Sequence, residues 1–415
     1  MTFWEGAFWI TLSIVLYPYF FYPIVLFFVG LLRPAERNKP SSATQVEEWP
    51  EVTLVIPAYK EVDSVQPKMD SIRSLDYPAD KIRILWIIST HEGDETLTPT
   101  LAALEAYPEA EYILVPHLGK NAALNRARSL VRSPLTLITD ANAILSPSSL
   151  RSAVQCLQQT PVGGAVGGRR LLLSPKGHTV TPSESTFLSF EHLLKKAEST
   201  IDCALGLSGE FLLLETALWP EIPPSVVDDL YIVLNSGLSG KPLRYEPKAV
   251  VYEAPSPTIS IEFQRKSRIA YTVFHTLRAR FRLRDALRYP KFTFMFLSHK
   301  FSRYFVAPIA LVFLLILTGI LSFAHPHLLY ISLFILQGFS WIEAATFLIA
   351  PRLRLPGFLS LPGYFLLAHW AQLWGLWRFL RREDPLQVWK RLPRTETESL
   401  SHVVEHTYST GSSAK

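Results

Sequence analysis

Four long apolar runs bracket an otherwise ordinary soluble stretch, and a water-soluble fold of this size has little room to hide them. Residues 8–32 carry no charge over a membrane-spanning length and are rich in Phe, Tyr, Leu, Ile and Val. Three more runs crowd the C-terminal third, at about 305–323, 328–350 and 358–379. This distribution predicts an integral membrane protein with one sizeable soluble domain after the first run. No basic residue precedes that run and no small-residue cleavage pattern follows it, so it is expected to be retained rather than removed as a signal peptide. Arg33, Arg37 and Lys39 come directly after it. The positive-inside bias then puts the N-terminus outside and the soluble domain in the cytoplasm, at the cell membrane. Three later crossings would leave Arg378, Arg381, Arg382, Lys390 and Arg391 outside, against the same bias. The run 358–379 contains Pro362-Gly363, His369 and Gln372, and a re-entrant or interfacial placement would remove the conflict.

The expected organisation is an N-terminal span at 1–33, a polar linker at 34–50, a catalytic domain at 51–260, interfacial amphipathic helices at 261–303, a membrane region at 304–380 and a polar tail at 381–415. Within the domain, apolar strands are expected at 52–56, 82–88, 113–115 and 135–139. Helices are expected up to about residue 75 and over 121–131 and 150–158. Strands alternating with helices at this spacing argue an α/β fold with a mostly parallel sheet covered on both faces. The stretch 262–283 interleaves Phe and Ile with Arg265, Lys266, Arg268, Arg278, Arg280 and Arg282, a pattern suited to lipid headgroups. Residues 292–304, with His299, Lys300 and Arg303, read as interfacial too. Cys156 and Cys203 are the only cysteines, too few for a disulfide framework or a zinc site, and read as small buried hydrophobes. The net charge of +5 suits contact with anionic membrane lipids, and no nucleic-acid motif accompanies it.

Several short motifs bear chemistry. The run Leu135 to Asn142 ends an apolar strand on Asp140 and Asn142. Open α/β sheets present ligand-binding groups at such carboxyl edges, and two oxygen-bearing side chains there suit a hard divalent cation escorting a diphosphate. Alternatively, Asp140 simply ends the strand and Asn142 or Ser146 caps a helix. Pro57, Ala58, Tyr59, Lys60 and Glu61 follow the first strand, where backbone can approach a ligand, or where Glu61 merely favours a helix N-terminus. Gly119-Lys120 precedes a helix whose N-terminus would welcome phosphate, or forms an ordinary turn. Asp228-Asp229 opens an apolar helix; adjacent carboxylates raise each other's pKa, which suits a general base, though one of them could be a cap. Glu191 and Glu198 are expected on a solvated helix face.

The order VIPAYKE, GKNAALN, TDAN, VVDDLYI and QRKSRI, the last beside a membrane segment, resembles the membrane-bound family 2 glycosyltransferases, which include cellulose, chitin, hyaluronan and poly-N-acetylglucosamine synthases. The resemblance covers about residues 52–303. It implies a nucleotide-diphospho-sugar transferase domain of GT-A type, flanked by membrane helices, that transfers sugar with inversion from a nucleotide sugar, UDP-linked by default. The acceptor would be a polysaccharide or a membrane lipid, and Mg²⁺ or Mn²⁺ the cofactor. Carried over residue by residue, Pro57, Ala58, Tyr59 and Glu61 would bind the nucleoside, with Lys60 in place of the usual Asn. Lys120 and Asp140 would serve the diphosphate, and Asp140 and Asn142 the metal, with an amide replacing the second acid. Asp228-Asp229 matches the acidic pair of the general base, with Asp229 as the base. Arg265 and Arg268 would hold acceptor or diphosphate, and Gly209, within Gly206 to Glu210, would line the acceptor site.

Two departures bear on specificity. Thr90 or Glu92 stands where an acid usually contacts the base, which leaves the nucleotide open. Arg265 and Ile269 replace the Gln and Trp of the element associated with polymerising members, which favours a non-processive lipid transferase. Trp341, Trp370, Trp374 and Trp377 fit either sugar stacking or an interfacial aromatic belt. A third reading, from the missing acids at 90 and 142, is a catalytically silent subunit that binds nucleotide or polysaccharide beside export or synthase partners.

Overall fold

The computed structural model describes residues 2–31, 48–160, 162–173, 182–350 and 357–385. Most of the expected linker, most of the polar tail, and Lys390 and Arg391 lie outside the described residues. Four apolar stretches form the strands β1 (Val52–Ala58), β2 (Ile82–Thr90), β3 (Ala110–Pro116) and β4 (Leu135–Ile138). They pair in parallel in the order β3-β2-β1-β4. Central parallel strands are buried on both faces, so β1 reads as an uninterrupted apolar run in which Leu54, Val55 and Ile56 are fully covered.

The sheet continues beyond what the apolar runs foretell. β5 (Ile144–Leu145), β6 (Ala165–Leu172), β7 (Leu212–Glu215) and β8 (Leu243–Glu253) extend it to the order β3-β2-β1-β4-β7-β6-β8-β5. β7 runs antiparallel to β4 and to β6, β8 is parallel to β6, and β5 is antiparallel to β8. The result is a mostly parallel mixed sheet of GT-A type.

Helices cover both faces because their apolar positions recur at helical spacing. The helix Val62–Arg73 buries Val65, Met69 and Ile72 on one side of the sheet, and Ser149–Gln158 adds Leu150, Ala153, Val154 and Leu157 to the same core. On the other side, Lys120–Arg128 buries Ala123, Leu124 and Ala127 beside the helix Asp228–Gly237. Full burial of a side chain such as Met69 or Leu124 contributes about 1.5–3 kcal/mol. Gly119 precedes Lys120–Arg128 at φ +92°, a backbone that lets β3 turn directly into this helix.

Three helices among the described residues are long and apolar enough to cross a membrane: Phe3–Gly30, Pro290–Ala324 and Leu328–Ile349. This is a membrane protein. Helix Leu361–Leu380, from the fourth apolar run, is not among those three. It packs along Ile259–Arg280, and the missing side chain of Gly375 lets the Ser267 carbonyl come close. Phe3–Gly30 and Pro290–Ala324 each contain a π-helical stretch, Tyr17–Phe21 and Leu297–Val306. The two meet through a hydrogen bond of 2.8 Å between the Tyr17 and Ser298 hydroxyls.

Two expectations need correcting here. His299 and Arg303 do not face headgroups; both are buried against the catalytic domain. Their partners are the two glutamates expected on a solvated face. Glu191 pairs with Arg303, and Glu198, with no exposed surface, accepts from His299 Nδ1 at 2.7 Å and Tyr22 Oη at 2.8 Å. A helix whose polar face meets a second polar helix face reads in sequence like one that meets water.

Candidate active site

The carboxyl ends of β1, β2, β3 and β4 bring the expected motifs to one edge. Pro57 and Ala58 close β1. Lys60 follows at φ +57°, a left-handed conformation that costs a non-glycine residue on the order of 1 kcal/mol and recurs at ligand-binding loops. Tyr59 stacks on His117, which follows β3, with ring centroids 3.6 Å apart and planes 12° from parallel. Glu61 stands at the N-cap position of Val62–Arg73 and accepts from the Ser64 hydroxyl at 3.0 Å. His91 lies exposed beside Tyr59.

Lys120 is the centre of the site. Its ammonium is 2.7 Å from Asp140 Oδ1 and 2.9 Å from Asp228 Oδ2. Burial works against the charge, but the two carboxylates hold the ammonium well above the usual lysine range. Asp228 is thereby engaged by Lys120, while Asp229 lines an adjoining cavity. The Gly209 N–H donates to Asp229 Oδ2 at 3.0 Å, which joins the small-residue loop to the acidic pair. Burial, then the charges of Asp228 and Glu210, push the Asp229 carboxyl up to about 7. Asp229 is thus poised to exchange a proton near neutral pH.

A second charged group escaped the motif reading. Arg170 on β6 bridges Glu210 at 3.2 Å and Glu253 at the end of β8 at 3.4 Å. Burial and neighbouring Glu210 raise the Glu253 carboxyl to about 7, whereas Arg170 helps hold Glu210 at about 2 against its burial. Lys68, wholly buried beneath the strand ends, donates to Thr139 Oγ1 at 2.7 Å and to the Ala143 carbonyl at 2.6 Å. Burial lowers its ammonium to about 7. The signals were present in sequence: an arginine pair inside the apolar β6 stretch, and a lysine on the buried side of an amphipathic helix.

Among the described residues no three His, Cys, Asp or Glu side chains form a metal cage. Asp140, Asn142 and Glu253 nevertheless supply only oxygens in addition to the Asn142 amide nitrogen, which points at Glu253 Oε1 at 3.4 Å. One or two carboxylates completed by phosphate and water oxygens is how Mg²⁺ is held beside nucleotides, and the donor set fits that arrangement. Arg265 lines the cavity and pairs with Glu262 at 2.9 Å; Arg268, on the same helix, lies outside the lining.

A family model described as Glycosyltransferase like family 2 matches residues 50–272, more than half of the chain. The chain belongs to this family. It is a nucleotide-sugar glycosyltransferase. Its curated relatives include the poly-beta-1,6-N-acetyl-D-glucosamine synthases of Staphylococcus aureus (strain MSSA476), 20% identical over 66% of each chain, and of Staphylococcus epidermidis, 21% identical over 53% of each. The chain thus spans between about half and two thirds of these relatives' lengths. Among solved structures, the mannosyltransferase PcManGT from Pyrobaculum calidifontis, in complex with GDP-Man and Mn2+, shares the fold with a TM-score of 0.68. It is 20% identical, and the match covers 92% of this chain and 100% of that one.

Proposed function

We propose that the glycosyltransferase moves a sugar, with inversion, from a UDP-linked donor to a polysaccharide or lipid-linked acceptor at the cytoplasmic face of the cell membrane. The carrying observation is the position of Asp229. Its carboxyl lines the cavity on one side and adjoins, through Asp228, the Lys120–Asp140 pair on the other. In this reading Asp229 takes the proton of an acceptor hydroxyl, whose oxygen attacks the anomeric carbon opposite the diphosphate. The bond from that carbon to the diphosphate breaks, and Lys120 neutralises charge on the departing group. Tyr59 and His117 offer a flat aromatic surface to the nucleoside. Asp140 and Asn142 would hold Mg²⁺ or Mn²⁺, which supplies electrostatic stabilisation of the diphosphate when bound.

The membrane helices support a three-crossing arrangement. Phe8 packs on Tyr330, so the N-terminal end of the first helix lies beside the turn joining the second and third. Tyr22, near its other end, reaches Glu198 in the catalytic domain. Three crossings return the chain to the cytoplasmic side before Arg378, Arg381 and Arg382, which satisfies the positive-inside bias. The names of the curated relatives support N-acetylglucosamine as the first sugar to test, and GDP-mannose is the second. The test is turnover of each donor by the purified full chain with Mg²⁺ or Mn²⁺, followed by NMR assignment of the product anomer. Retention of configuration, or no turnover of any nucleotide sugar, overturns the reading.

A further inference from the structure

The cavity beside Asp229 holds more positive charge than this chemistry uses. It encloses about 780 Å³ between the catalytic domain and the membrane helices. Ser208, Glu210 and Asp229 form its catalytic end, and Val15, Leu16, Leu361 and Phe365 form its membrane end. Six cationic side chains (Arg170, Lys195, Arg265, Lys266, Lys300 and Arg303) line it, against three carboxylates, Glu191, Glu210 and Asp229. Four of the six are committed. Arg170 pairs with Glu210 and Glu253, Arg303 with Glu191, and Arg265 and Lys266 with Glu262 behind the wall. Among the described residues Lys195 and Lys300 form no ion pair, although the Lys195 ammonium lies 5.5 Å over the Tyr245 ring. Burial first, then the field of Lys300 and Arg170, lowers the Lys195 ammonium against the pull of Glu191 and Glu210.

Two neighbouring ammonium groups that form no ion pair with a carboxylate, at the side of a chamber whose outer end is aliphatic and aromatic, fit an amphiphile with an anionic headgroup. We propose that the cavity takes the acceptor as a long-chain lipid whose headgroup carries a phosphate and a hydroxyl, the phosphate at Lys195 and Lys300 and the tail against the membrane helices. This rests on the transferase reading, with Asp229 as base. The headgroup hydroxyl gives its proton to Asp229 and its oxygen bonds to the anomeric carbon. The electron pair of the broken bond leaves with the nucleoside diphosphate.

The test uses the purified full chain in detergent and two radiolabelled probes, phosphatidylinositol and a phosphate-free monoglucosyl diacylglycerol. Phosphatidylinositol should be retained at least tenfold more strongly. Lys195→Gln with Lys300→Gln should abolish that preference, and Lys195→Arg with Lys300→Arg should keep it. Equal retention of the two lipids overturns the proposal. So does displacement of phosphatidylinositol by millimolar inorganic phosphate, which would mean a site for the anion without its tail. Transfer to a soluble oligosaccharide at a rate untouched by the double glutamine variant would assign the cavity to a growing glycan instead. Nucleotide-sugar affinity is measured separately: its absence sinks the transferase reading, while lipid retention reports on the cavity alone.

Discussion

Protonation of Asp229 should set the acid side of the enzyme's pH profile. Its carboxyl is held at about 7 because burial, Asp228 and Glu210 all disfavour the charged form, and Lys120 offsets only part of that. A base must be ionised to accept a proton, so activity is full above pH 7 and is lost as pH falls through it. For a single titrating group the ionised fraction is about one half at pH 7 and about one tenth at pH 6, so kcat/KM should fall about tenfold per unit below 7. Asp229→Asn keeps the size of the side chain and an oxygen to accept the Gly209 N–H, but it cannot take the proton. Loss of a general base slows a reaction about 10²–10⁴-fold, equivalent to about 2.7–5.4 kcal/mol of barrier. The residual rate of the variant should lack the limb near pH 7. In Asp228→Asn, removal of the adjacent charge should move that limb to lower pH. The assay is release of nucleoside diphosphate between pH 5.5 and 8.5 at limiting donor. A flat wild-type profile, or Asp229→Asn within threefold of wild type, refutes the assignment.

Other outcomes follow from the same geometry. Asn142→Asp adds a second acid beside Asp140 and should lower the Mn²⁺ concentration for half-maximal turnover by about tenfold; an unchanged metal titration would remove position 142 from the cation site. Glu198→Ala strips the partner from buried His299, Tyr22 and the Leu205 N–H, and should cost about 3–5 kcal/mol, read as a large drop in Tm in detergent. Tyr22→Phe removes only one of those bonds and should cost about 0.5–1.5 kcal/mol; equal losses in the two variants would show that Glu198 is not the hub. With three crossings, thiols introduced by His327→Cys and Arg382→Cys should label from opposite sides of the membrane, against a low background because Cys156 and Cys203 are buried. Labelling from one side would require another crossing.

What could be read from sequence divides along a physical line. Strands β1, β2 and β4 are largely buried and announce themselves as continuous apolar runs, whereas β3 is a mostly exposed edge strand marked by its short apolar run at 113–115; the candidate site residues come directly after them. Asp140, Tyr59 and Lys120 were therefore legible. β5 and β7 are two and four residues long and carry no periodicity to find, so the second half of the sheet stayed hidden, and with it the pairing of β6 with β8 that brings Arg170 to Glu253. Glu198 and His299 are 101 residues apart, and neither position signals that the other removes it from water. Polar residues that satisfy each other across a domain–membrane boundary have the sequence signature of a solvated surface, and only the packed structure separates the two.

The charges around position 142 explain why an amide can stand there. Asn142 lies beside Glu253, whose carboxyl is buried and already crowded by Glu210 and Asp140. An aspartate there would put another charge against Glu253 before any cation arrived, with Arg170 and Lys68 already engaged by other oxygens. The amide instead donates to Glu253 Oε1, which lessens the repulsion and keeps an uncharged oxygen at the position. The acid absent from the strand-end motif thus has a counterpart at the end of β8, brought in by the half of the sheet that sequence did not reveal. Departure from the two-acid pattern is a redistribution of charge within the site, and it weighs against reading this chain as a silent subunit.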